Sequence, residues 1–262
     1  MNVKTNTSGM NLFPGFRRKG FLYLSVFFGL VFIFFIFQGC DDNGDDKPVP
    51  VTGTVTDRDG NTYVTVKIGN QWWMAEDLRV TTFASSDAIP QITDNEEWAN
   101  TSQPAFCVYN NGAMGNGLLY NFYVIGSGQE IAPAGWHVPA DEDWKALEEY
   151  LGMDANELDK NNWRGTDEGD QLKAESTSTS GWASYENVWG NNSTGFSAAG
   201  GSCRVFSGEW GFPQTGHTGF WWTSTSSDGY GWYRYLDYKK SGIFRYAGHP
   251  NYGFSIRCVK NN

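Results

Sequence analysis

The sequence predicts an α+β domain built from antiparallel aromatic sheets with one or two helices. Three observations carry this. Aromatic residues make up 16% of the chain, with 12 Trp, against only 18% charged residues and 32 Gly. That is the balance of a compact, loop-rich β or α+β domain, not of a disordered chain. Between Gly219 and Lys260 lie three short aromatic runs, Phe220–Ser224, Gly231–Tyr238 and Gly253–Val259. Turn residues separate them (Ser227-Asp228-Gly229, then Gly248-His249-Pro250-Asn251), which is the pattern of an antiparallel meander. Finally, Asp141–Gly152 carries one apolar stripe of Trp144, Leu147 and Leu151 and is the natural helical cover for that sheet.

Before the domain, the chain reads as an address. Residues 21–37, FLYLSVFFGLVFIFFIF, are an unbroken apolar run, with Arg17, Arg18 and Lys19 ahead of it and Gly39-Cys40 after it. A basic region, an apolar stretch and a small residue at the processing point make a secretory signal. With Cys next to Gly39, residues 1–39 resemble a bacterial lipoprotein signal peptide, and Cys40 is the expected lipidation site. An uncleaved anchor helix is the alternative, since 17 apolar residues sit at the short edge of a spanning segment. Either way residues 41–262 are exported. Residues 40–50, rich in Asp and ending Pro-Val-Pro, form an extended solvated tether. An acidic stretch directly after such a Cys resembles the surface-export signal of Bacteroidetes-type lipoproteins. The expected location is therefore the outer membrane at the cell surface, held by a lipid anchor.

Removing residues 1–39 takes away four basic residues and no acid, leaving 15 Lys+Arg against 29 Asp+Glu, or −14. So acidic a domain is not expected to bind nucleic acid, whose phosphates it repels.

Within residues 51–262, read as one domain, Val51–Leu78 predicts two or three strands. Val64, Val66 and Ile68 face inward, and Gly69-Asn70 form a tight hairpin. Residues 81–102 read as a long surface loop. Phe106–Tyr109 is a short strand, and Gly117–Tyr123 is helix or strand. At the helix, Asp141, Glu142 and Asp143 suit the positive N-terminal end, and Gly152 suits the left-handed position after the last turn. Residues 154–192 are polar loops with a short helix near Gly169–Glu175, and Cys203–Phe206 returns to strand.

Several boxes in this order resemble one family. They are Trp72-Trp73-Met74-Ala75-Glu76-Asp77-Leu78, Leu118-Leu119-Tyr120-Asn121-Phe122-Tyr123, Gly135-Trp136-His137-Val138-Pro139 with Trp144, Gly195-Phe196-Ser197-Ala198, Trp221-Trp222-Thr223-Ser224 and Gly253-Phe254-Ser255-Ile256-Arg257-Cys258. Together, over about residues 52–260, they resemble the Fibrobacter succinogenes major paralogous domain, a lipoprotein-associated domain of Bacteroidetes and Fibrobacteres. The resemblance implies a C-type-lectin-like fold related to the formylglycine-generating enzymes, and no settled activity. Two departures stand out. Ala140 occupies the helix N-cap where the family has Ser or Thr, a loss worth about 1 kcal/mol. Gly201-Ser202-Cys203-Arg204 introduces an additional thiol.

The chemistry legible in the residues is sparse. With Cys40 lipidated, Cys107, Cys203 and Cys258 remain, and an exported protein is expected to pair two of them. Because Cys107 and Cys258 sit in boxes shared with the family, the resemblance favours Cys107–Cys258, with Cys203–Cys258 the rival. No Cys or His spacing suits a metal, no cofactor motif is present, and His137, His217 and His249 fall in no nucleophile setting. Asp167-Glu168-Gly169-Asp170 offers hard oxygen ligands but lacks calcium-loop spacing and reads as a solvated acidic loop.

One candidate surface remains. Strict alternation places Trp232, Arg234, Leu236 and Tyr238 on one face of a strand. A row of Trp, Arg and Tyr is a candidate for stacking on sugar rings, with Trp232, Arg234 and Tyr238 as the contacts. The competing reading is that these rings fill the core. The expected function is a non-catalytic binding or adhesion module for a glycan or a surface protein. A carbohydrate-active or formylglycine-generating-type enzyme and a structural surface coat are the alternatives.

Overall fold

A computed structural model describes residues 49–109, 117–175, 182–212 and 216–262. They lie in one compact unit, Asp46–Asn262. The apolar run 21–37, Cys40 and most of the tether lie outside the described residues.

The chain opens with strands β1 (Thr52–Thr56), β2 (Thr62–Ile68) and β3 (Gln71–Met74), then helix α1 (Asn95–Asn100). Strands β4 (Phe106–Cys107) and β5 (Leu119–Tyr120) precede helix α2 (Phe122–Gly126) and strand β6 (Trp136–His137). Helix α3 (Asp141–Tyr150), strand β7 (Asn162–Arg164) and helix α4 (Glu168–Leu172) follow. The chain closes with β8 (Cys203–Arg204), β9 (Trp210–Gly211), β10 (Thr218–Ser227), β11 (Tyr230–Asp237), β12 (Ile243–Gly248) and β13 (Val259–Lys260). This is an α+β fold with four short helices among the described residues, where the sequence suggested one or two. All paired strands are antiparallel. One sheet has the order β1-β2-β3-β13-β6, another β10-β11-β12-β7, and β4-β5 and β8-β9 form two ribbons.

The predicted meander is present with a different third strand. Asp228 and Gly229 both take positive φ and close the β10–β11 hairpin, as a tight turn matched to strand twist requires. The strand beside β11 is β12, and not the run after Gly253. That last run is a spine that ties the separate sheets together. Gly253 pairs with Arg204, Phe254 with Tyr120 and Ser255 with Trp221. The Leu78 amide donates to the Ile256 carbonyl and the Met74 amide to the Cys258 carbonyl, before β13 joins β3 and β6.

Other expectations meet mixed outcomes. Val66 and Ile68 face the core, but Val64, on the same side of β2, lies beyond its cover and is exposed. Strand β2 separates two apolar clusters: Tyr63 enters one, and Val66 and Ile68 the other, beside Trp73, Trp144 and Leu147. Residues 81–102 are not a surface loop throughout, because Phe83, Ile89, Ile92 and Trp98 are buried and α1 lies among them. The signal was available: Asp94 accepts from the Glu97 amide at 2.9 Å, an acidic N-cap three residues before a Glu.

Helix α3 forms where its stripe places it, burying Trp144 and Leu147, with Gly152 at φ +112° just past its end. Its missing N-cap hydroxyl is supplied from elsewhere. The Asp141 amide donates to Thr225 Oγ1 at 2.9 Å, and the Asp143 carboxylate accepts from the Ala140 amide at 2.8 Å. The acidic segment at Asp167 is not a solvated loop. It enters α4, where Glu168 and Asp170 are buried, and Asp170 pairs with the buried Lys173 at 2.8 Å.

Candidate functional site: the open face of the aromatic sheet

The four-stranded sheet has two unlike faces, and α3 decides which is which. Helix α3 lies on the side where Trp221, Arg234, Leu236, Ile243 and Arg245 project. Arg234 and Arg245 stand directly opposite each other on β11 and β12. Like charges so placed repel, and the acids of α3 neutralise them. Asp141 reaches Arg234 at 2.7 Å and Arg245 at 2.7 Å, while Glu148 reaches Arg234 at 2.6 Å and Arg164 at 2.7 Å. Burial alone would raise the Asp141 carboxyl, but hydrogen bonds and charge from Arg245 and Arg234 hold it well below the usual carboxylate range.

This cluster corrects the ligand face expected from sequence. Arg234 is 0% exposed and fully engaged with Asp141 and Glu148. Trp232 lies flat under the Arg245 guanidinium, 3.9 Å from its ring centre. Tyr238 stacks on His217 at 4.2 Å. The three residues share a strand side but present no common surface, because α3 and its charges occupy that side.

The opposite face carries the rings. Register pairs Phe220 with Tyr235, Tyr235 with Phe244, and Phe244 with Trp163. One aromatic side chain from each strand therefore forms a ladder across the whole sheet. A second row, two residues along, joins Trp222, Tyr233 and Tyr246. Neighbouring rings meet at 4.6 Å (Phe220–Tyr235), 5.7 Å (Tyr235–Phe244) and 5.4 Å (Trp163–Phe244). At the β10 side the rows are buried under Phe254, which stacks on Phe220 at 5.0 Å. Toward β12 and β7 the cover from the described residues ends. Tyr233, Tyr235, Phe244 and Trp163 are half-buried and Tyr246 is 45% exposed. Phe212, 49% exposed, flanks Phe220 and Tyr235 at 5.6 and 6.3 Å.

Polar groups are set among the rings. Tyr235 donates its hydroxyl to Asp237 Oδ2. Burial, with this bond to a carboxylate, pushes the Tyr235 phenol well above its ordinary value, so it stays a neutral donor. Asp237 also accepts from the Lys239 amide at 2.8 Å, which fixes its carboxylate at the margin of the rings.

The cysteines also depart from expectation. Cys107, Cys203 and Cys258 are free and buried. Strand alternation explains why Cys107–Cys258 does not form: Cys107 enters the small cluster of Ile92, Trp98, Ala105 and Leu119, while Cys203 and Cys258 enter the large one. Burial pushes the Cys107 and Cys203 thiols up to about 12. Beside Cys107 the wholly buried Arg204 has no carboxylate partner among the described residues. It donates to the carbonyls of Gly208, Ile92, Thr93 and Asp94, between the rings of Trp98 and Trp210.

His137 is a structural group, with Nδ1 against Asn261 at 2.7 Å and Nε2 against Asp143 at 3.1 Å. No group of acids, His and Cys suited to a metal occurs among the described residues. Nor is any helix among them long and apolar enough to cross a membrane.

Comparison with curated proteins and with solved structures returned no match. Residues 66–260, well over half of the chain, match the Fibrobacter succinogenes major domain, and the protein belongs to that family.

Proposed function

We propose that this domain is an exported, lipid-anchored binding module that holds carbohydrate on the open aromatic face and carries out no catalysis. The observation that supports it most is the cross-strand ladder ending in the half-exposed Tyr235, Phe244 and Trp163, beside the Asp237 carboxylate. Flat rings take the C–H faces of sugars, while a fixed carboxylate and phenol hydroxyls accept and donate at the sugar's edge. Exposed aromatic patches on a soluble face mark ligand or partner sites. The rows contain no aliphatic side chain, which favours a sugar over an apolar protein surface.

A C-type-lectin-like fold is part of this reading. Its support is that the first and last strands, β1 and β13, share one sheet. Anchoring through Cys40 at the outer membrane is supported by the basic, apolar and Gly39-Cys40 pattern. Intact mass from the native host tests it: a mass corresponding to cleavage before Cys40 plus acyl chains is expected, and a full-length unacylated mass would overturn it.

For binding, the soluble domain is screened on a broad glycan and polysaccharide array. Binding is expected, and Trp163→Ala should weaken it by at least about tenfold, or 1.4 kcal/mol. Tyr150→Ala, which removes an exposed ring outside the face, should not. An array with nothing above background, or a Trp163→Ala variant that binds as well as the parent, would sink the proposal. Capture of a surface protein through the same rings would replace it.

A further inference from the structure

We infer that the open face takes an extended, uncharged polysaccharide chain laid across the strands from Phe212 to Trp163, and not a single sugar or an anionic polymer. This rests on the carbohydrate reading above and adds the ligand's length, direction and charge.

Direction follows from register. The half-buried rings Tyr235, Phe244 and Trp163 come from three adjacent strands at paired positions, so their line runs perpendicular to the strands. Neighbouring strands stand about 4.8 Å apart, so the line from β11 to β7 is roughly 10 Å, longer than one sugar ring. Phe212 extends it at the other end, its ring within 27° of the Tyr235 plane. A succession of rings along one line suits a ribbon whose consecutive sugar rings present flat faces, as equatorially linked chains do. A coiled chain would lift off after one contact.

Charge follows from composition and placement. Residues 49–262 hold 14 Lys+Arg against 25 Asp+Glu, a formal −11. The two arginines of β11 and β12, Arg234 and Arg245, point to the opposite face and are bound to Asp141. The carboxylate set among the rings is Asp237. A polyuronate or sulfated chain would meet this net negative field with no free cation from the strands themselves, the exposed Lys239 and Lys240 lying only on the turn after Asp237.

Calorimetric titration of the soluble domain with linear β-1,4-linked oligosaccharides, from monomer to hexamer, tests length. Affinity should rise at least tenfold between the dimer and the tetramer and then level off, with little dependence on salt. Phe212→Ala and Tyr246→Ala, both at exposed rings and expected to fold, should flatten that rise. A polyuronate should bind at least tenfold more weakly than the neutral hexamer. Equal affinity for monomer and hexamer would overturn the chain inference while leaving a carbohydrate site standing. A preference for the polyuronate that salt abolishes would do the same to the charge assignment. No binding of any of these sugars, alongside an empty glycan array, would remove both readings together.

Discussion

The two faces of the four-stranded sheet are made by the same strands and differ by one residue in register. On β11, Arg234 and Leu236 lie under α3, and Tyr233 and Tyr235 lie on the other side. The covered face holds buried charges that are met almost atom for atom by Asp141 and Glu148. The open face holds rings that pack mainly on one another, with Tyr235 also bound to the Asp237 carboxylate. The covered face is therefore committed to the fold, and the open face has contact area to spare. A shift by one residue exchanges the faces entirely, so alternation along β11 alone does not tell whether Trp232, Arg234 and Tyr238 or Tyr233 and Tyr235 lie under the helix.

The comparison breaks first at Glu148. Removing it leaves Arg234 and Arg164 buried with less compensation, and breaking one partner of a buried pair typically costs 3–5 kcal/mol, so Glu148→Ala should cost about that much. Urea unfolding measures it. Tyr246→Ala, on the open face, should move the midpoint far less. Equal losses would mean that the open face is as structural as the covered one.

Acid sharpens the same contrast. Asp141 is held below its ordinary value by Arg245 and Arg234 against the opposing effect of burial. A carboxyl depressed in the folded state stabilises above its unfolded value, and that contribution fades as pH falls below about 4. Stability should therefore drop on acidification. Asp141→Asn should lie lower at neutral pH with a shallower acid limb, and an unchanged limb would remove Asp141 as its source. A smaller effect is due at Thr225. Its hydroxyl takes the place of the N-cap that Ala140 lacks, so Thr225→Ala should cost about 1 kcal/mol, as a lost cap does. A change within a few tenths would show that the Asp143 bond to the Ala140 amide suffices.

Much of the frame was legible in the sequence. The α3 stripe, the three N-terminal strands, the β10–β11 hairpin and the family boxes all follow local patterns. What was not legible depends on distant pairing. Strand β12 is short and carries Arg245 among its apolar residues, so its alternation is visible only beside β11. Trp163, the outermost ring of the ladder, sits in a three-residue strand within a polar stretch. The alternation of Phe244 and Tyr246 is the local signal in the sequence that marks the ring-bearing face. Export context predicted a disulfide, yet no local rule states which side of a strand each thiol takes.

The thiols give the cleanest check on that last point. Cys107, Cys203 and Cys258 are buried and unpaired, so reductant should leave the unfolding midpoint unchanged, and a thiol reagent at neutral pH should react with them only as the domain unfolds. Burial raises the Cys107 and Cys203 thiols to about 12. A thiol raised in the folded state stabilises below its unfolded value and loses that contribution as pH climbs from about 8.5 toward 12. The domain should weaken along that alkaline limb, and Cys107→Ala should reduce the slope. A midpoint that falls with reductant would instead reveal a disulfide, and with it a different arrangement of the strands that now point Cys107 and Cys258 into separate clusters.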